Sequence, residues 1–188
     1  MLGAHGLDPA APHPEPGVPA GVEIVGTPNI AALTKKACTP DTRVENVSSI
    51  AVLCSYDGRT FLLPGDASPD KLCASIRRLV PEGGKLRLDA MVVPHHGSKG
   101  NVSRELLEAV ECRRFLFSSD GATHGHPTPE AVARVIRYGG PRAELFFNYR
   151  TAVNGVWDDE DLTKDETWGY GVHYPEGAAG IEVVLPPG

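Results

Sequence analysis

The sequence lacks several things, and each absence closes off a class of protein. No run of 18 apolar residues occurs, so nothing in the chain reads as a membrane span. The first residues have neither the basic start nor the apolar centre of a signal peptide. Positive charge is scarce: 18 Lys and Arg stand against 24 Asp and Glu, and the net −6 argues against a broad nucleic-acid footprint. The small basic pairs Arg77–Arg78 and Arg113–Arg114 read as solvated ends of elements. The four cysteines, Cys38, Cys54, Cys73 and Cys112, form no CxxC pair and imply no disulfide framework. Cys54 and Cys73 fall in apolar-patterned segments, where buried free thiols are expected. A reducing, cytoplasmic setting fits. There is no internal repeat.

What is present suits a single domain. The 188 residues, 41% of them hydrophobic, are enough for one sizeable core and too few for two. Residues 1–21 are rich in Pro, Ala and Gly, including Pro9, Pro12, Pro14, Pro16 and Pro19. Such a stretch buries too little apolar surface to order itself, so it reads as a flexible leader in which His5 and His13 are incidental. The globular pattern occupies 22–188.

Within it, Ser49–Ser55 and Thr60–Leu63 are short apolar runs around Asp57-Gly58, a strong hairpin signal. Leu88–Pro94, Arg114–Ser118, Ala143–Asn148 and Ile181–Leu185 also read as strands. Ser68-Pro69-Asp70 and Thr128-Pro129-Glu130 each give a cap, a first-turn proline and an acid, and Ser103 offers a third cap. Helices follow with Leu72, Ile76 and Leu79, with Val132, Val135 and Ile136, and with Leu106, Leu107 and Val110 on their apolar faces. Strands therefore alternate with helices, which predicts an α/β layered fold. Val153–Tyr174 reads as a long loop whose acidic run, Asp158–Asp161, is solvated surface.

Three segments at strand ends could carry chemistry. Leu62-Leu63-Pro64-Gly65-Asp66 delivers a carboxylate to the sheet edge, although Gly-Asp alone is commonplace in turns. Val92-Val93-Pro94-His95-His96-Gly97-Ser98 places adjacent imidazoles after a buried strand, where a glycine turn can aim them into one cavity. Thr123-His124-Gly125-His126-Pro127 precedes a helix start. Its continuation is Pro-Thr-Pro, with no Asp-His, so His126 reads as substrate-facing or proton-donating and His124 as solvent-exposed.

The ordered set of strand–GD, strand–HHGS and HP–helix, preceded by Asn46-Val47-Ser48-Ser49-Ile50, resembles the metallo-β-lactamase-like domain of the ComEC/Rec2 type. The resemblance covers about Arg43–Tyr138 and implies half of an αββα sandwich, a mixed sheet with helices on one face. It also implies that Asp66 bridges two divalent ions, zinc or manganese, and that His96 ligates the second. His95 would lie close to substrate, and His126 would contact a phosphate or leaving group. Pro64 stands where the family usually has Thr or Ser. The family's HxHxDH segment, which supplies most of the ligands, is not found upstream of Asp66. A Zn²⁺ site wants about four ligands, so Asp66 and His96 do not suffice for two ions.

The resemblance thus implies the C-terminal half of a metal-dependent hydrolase domain, inactive alone. Its expected substrate is a phosphoester or phosphodiester, small-molecule or nucleic-acid. Its expected partner is a complementary N-terminal half or a second copy. The alternatives are a non-catalytic binding or scaffold module on the same fold, and a mononuclear site built from Asp66, His95, His96 and His126.

Overall fold

The computed structural model describes residues 26–39, 48–177 and 180–185. The expected leader, and Asn46–Val47 of the resembling segment, lie outside them. The hairpin forms where its turn chemistry asks for it. Strands β1 (Val52–Tyr56) and β2 (Arg59–Leu63) pair antiparallel, with Tyr56 opposite Arg59. Asp57 and Gly58 take φ of +47° and +72°, the left-handed pair of a two-residue hairpin turn.

From β2 onward the chain winds in one direction. Helix α2 (Pro69–Leu79) leads to β3 (Leu86–Leu88) and β4 (Ala90–Val92). Helix α3 (Arg104–Glu108) leads to β5 (Val110–Cys112) and β6 (Arg114–Phe117), and α4 (Pro129–Tyr138) to β7 (Glu144–Phe147). Strands β2, β4, β6 and β7 are parallel neighbours in that order, with β1 added antiparallel on one side and β8 (Gly171–His173) parallel on the other. Strands β3 and β5 form a small separate parallel pair. A short helix α1 (Ile30–Leu33) packs on α4, and α4, α3 and α2 touch in sequence, so these helices form one layer.

The register shows which face that layer covers. Leu62, Met91, Phe115 and Leu145 align across β2, β4, β6 and β7, and all are buried at 5% exposure or less. One position on, Val92, Leu116 and Phe146 point to the other face and are only half-buried, while Leu63 is exposed. The protein is α/β with a mixed sheet, covered by helices on one face and incompletely covered on the other.

The helices start where their sequence signals place them, although the Ser68 and Thr128 side chains make no capping hydrogen bond. Pro69 and Pro129 open α2 and α4, and the Ser103 hydroxyl accepts the Leu106 N–H at 3.2 Å. Helix α4 is tied down by Arg134, itself 2% exposed. Its guanidinium donates to the carbonyls of Lys99 at 2.6 Å, Val102 at 2.9 Å and Lys36 at 2.9 Å.

Several expectations need correcting. Ile181–Leu185 is not a strand; the place beside β7 is taken by Gly171–His173, and apolar alternation without a partner edge makes no ladder. Val153–Tyr174 is partly regular: Gly155–Trp157 is a 3₁₀ turn with Trp157 fully buried, and α5 spans Glu160–Thr163. The acidic run is more than solvated surface, since the Asp159 side chain caps α5 and Asp158 pairs with Arg150. Cys73 and Cys112 are buried free thiols, but Cys54 is exposed because β1 is an edge strand. Among the described residues, no helix is long and apolar enough to cross a membrane.

Candidate active site at the carboxyl edge of the sheet

Parallel strands deliver the residues at their carboxyl ends to one edge. Pro64-Gly65-Asp66 comes after β2, the two histidines after β4, Ser118 begins the segment after β6, and Asn148-Tyr149 comes after β7. Ligand sites in layered α/β folds gather at this carboxyl edge.

The His-His-Gly segment is a left-handed turn. His95, His96 and Gly97 have φ of +48°, +54° and +84° in succession. Non-glycine residues in this region cost about 1–3 kcal/mol each, so the turn persists only because its surroundings hold it. The holding contacts come from the loop after β2 and from the N-cap of α4. The His95 N–H donates to the Gly65 carbonyl at 3.0 Å, and the Thr128 N–H to the Gly97 carbonyl at 2.9 Å. Gly97 also has to be glycine for space, because a Cβ there would lie 2.5 Å from Pro127 Cβ. At Gly65, φ +55°, a Cβ would meet Ser49 Oγ at 2.5 Å, and that hydroxyl accepts the Asp66 N–H at 2.9 Å.

This scaffold brings the sequence-predicted histidines together. The ring centroids of His95 and His96 are 6.3 Å apart, those of His95 and His126 5.6 Å, and those of His124 and His126 5.9 Å. His95 is buried, and His96 is exposed. His96 Nδ1 lies 2.5 Å from the Ser118 carbonyl, which can only accept, so Nδ1 carries the proton and Nε2 offers a lone pair. His126 Nδ1 is buried with no hydrogen-bond partner among the described residues. Burial first, then the nearby His95, His124 and His96, push the His126 pKa down to about 4, weakly opposed by the Asp66 carboxylate. His126 is therefore a neutral imidazole at pH 7. Asp66 is half-buried, and its charge reaches His126.

A cavity of about 410 Å³ is lined by His96, His124, His126, Ser118, Asp120 and Tyr149 among others, but by neither Asp66 nor His95. His124 is exposed, as its sequence context suggested, yet it faces this cavity. Sequence reasoning missed Ser118, Asn148 and Tyr149, although each lies just past a parallel strand and could have been found by that rule. It also missed Asn101, fully buried behind His95, for which no local signal exists.

The donors are of the right chemical kind for a divalent metal: a carboxylate, imidazole lone pairs and an orphaned buried ring nitrogen. Their number falls short, since no three His, Cys, Asp or Glu groups among the described residues converge to hold an ion. No family model, curated protein or solved structure matches the chain.

Proposed function

We propose that this chain supplies the carboxyl-edge part of a metal-dependent hydrolase site of the metallo-β-lactamase superfamily, acting on a phosphoester or phosphodiester. The observation that carries the reading is the meeting of two strand-end segments and the segment that leads into α4. His96 and His126 line one cavity, and the Asp66 loop is tied to the His95-His96-Gly97 turn by the His95 N–H bond to the Gly65 carbonyl. The strained turn is held by hydrogen bonds from the other two, as expected where geometry serves chemistry.

In this reading Asp66 and His96 hold divalent ions, zinc or manganese, which would supply Lewis acidity to the scissile bond and the attacking water. Further ligands come from a complementary N-terminal half, in cis or in trans. The half-covered sheet face bearing Leu63, Val92, Leu116 and Phe146 is the surface against which such a layer would pack. The described lining residues of the cavity include no Lys or Arg, so the charge of a phosphate must be met largely by the ions. His95 orients substrate or water. His126 contacts the phosphate or the leaving oxygen through its imidazole, which is where its acid–base contribution would be made.

The test is metal analysis beside turnover of a model phosphodiester, for the chain alone and joined to an upstream half bearing HxHxDH. Alone, turnover should be absent or very low; joined, metal and activity should appear together. Asp66→Ala should then remove both, whereas His126→Ala should keep the metals and slow turnover by about 10²–10⁴-fold. Full activity in Asp66→Ala would end the hydrolase reading. The second reading is a non-catalytic binding or scaffold module, favoured by the lack of a three-ligand cluster among the described residues. It would gain if the joined protein bound no metal.

A further inference from the structure

The two adjacent imidazoles are held differently. His96 hands its Nδ1–H to a backbone carbonyl, so its tautomer is set by the partner alone. His95 Nδ1 instead lies 3.0 Å from the side-chain amide of Asn101, which can accept or donate depending on how it is turned. The other end of that amide settles the matter. It lies 3.0 Å from the Asp66 carbonyl and 3.4 Å from the Ala67 carbonyl, and both can only accept. The amide nitrogen must face them, which leaves Oδ1 facing His95. Turned over, Asn101 would set its oxygen against two carbonyl oxygens in a place with no exposure to water.

We infer that Asn101 is the positioning residue of this site. It holds neutral His95 in the Nδ1–H tautomer, so that Nε2 carries the lone pair. Free imidazole side chains in water favour the opposite tautomer, so the site reverses the ordinary preference. The same amide ties the Gly65–Ala67 loop to the histidine turn, coupling the placement of Asp66 to the protonation pattern of His95. The use of the lone pair, to accept a proton or a hydrogen bond from substrate or water, rests on the proposed hydrolase reading. The tautomer itself does not.

The experiment is long-range ¹H–¹⁵N correlation of the histidine rings in the purified 188-residue chain, without metal, near about pH 8 where imidazoles are neutral. Wild type, Asn101→Asp and Asn101→Leu are compared, with His95 signals identified by their loss in His95→Gln. Wild type should show His95 as Nδ1–H. Asn101→Asp should keep it with the buried carboxyl protonated, its C=O still accepting from Nδ1–H and its O–H still donating to the Asp66 carbonyl. Asn101→Leu should lower the Nδ1–H to Nε2–H ratio by about fivefold to tenfold, the worth of one buried hydrogen bond, while His96 stays Nδ1–H. An Nε2–H tautomer for wild-type His95, or an unchanged ratio in folded Asn101→Leu, would overturn the inference. Should neither variant fold, the wild-type spectrum alone decides. No metal or turnover enters these spectra, so failure of the hydrolase reading would leave them unchanged.

Discussion

Replacing Gly97 by alanine adds one methyl group and should disturb the site more than any surface substitution. The backbone there sits at φ +84°, where an L-residue costs about 1–2 kcal/mol. The new Cβ would fall 2.5 Å from Pro127 Cβ and 3.1 Å from Phe117 Cδ1. Neither neighbour is the free end of a flexible chain: Pro127 is a ring next to His126, and Phe117 is 1% exposed and stacked on Phe147. Overpacking of this kind costs about 1–3 kcal/mol. The two effects together give about 2–5 kcal/mol, a large part of the roughly 5–15 kcal/mol typical of a whole domain. For a chain of this size that lowers Tm by roughly 4–20 °C. Thermal unfolding and urea titration of Gly97→Ala beside wild type measure it, and the ring spectra of His96 and His126 should shift together as the two segments are forced apart. A Tm within about 2 °C of wild type, with unchanged histidine signals, would refute the close approach.

Two further outcomes rest on buried polar groups. Arg134→Met keeps the stem volume but removes three charge-assisted hydrogen bonds to backbone carbonyls, so urea unfolding should show a loss of about 3 kcal/mol; a loss under about 1 kcal/mol would refute the anchoring role. His126 should make stability fall in acid. Its folded pKa of about 4 lies below the ordinary 6.5, so the unfolded chain takes up the proton first. Its contribution is intact above pH 6.5, is lost as pH falls from 6.5 towards 4, and is flat below. The shift corresponds to at most about 3.4 kcal/mol, and partial solvent access reduces that to about 1–2. Unfolding at pH 7 and at about pH 4.5 in wild type and His126→Gln isolates it from the carboxylates, and equal pH dependence in the two would contradict it.

Much of this fold was legible because local chemistry and tertiary structure agree. Asp57-Gly58 made the turn it signalled, and Pro69, Pro129 and Ser103 opened helices where their side chains predict. Legibility failed where the outcome depended on a distant edge. Ile181–Leu185 alternates like a strand, whereas Gly171–His173 gives little sign of one, and only the position of β7 decides between them. The apolar run in β1 resembles a buried strand, yet it lies at the rim of the sheet with Val52 at 45% and Tyr56 at 78% exposure. In the site, the histidine segments announced themselves by composition and strand-end placement. Asn101 could not, since its role exists only through carbonyls 34 and 35 residues away.

The winding of the sheet has a kinetic consequence. Strands β2, β4, β6 and β7 are laid side by side in chain order, so each new strand finds its neighbour already present, one crossover away. Each parallel pairing must close a helix-containing crossover and so is slower than the β1–β2 hairpin, but none has to search past an intervening strand. As the chain leaves the ribosome, the rim is therefore completed in the order it is read: the Asp66 loop, then the histidine turn, then the His126 segment that bolts it in place. The left-handed turn cannot be secured until Thr128 arrives to hold Gly97, so the strained part of the rim is the part that waits longest for its support.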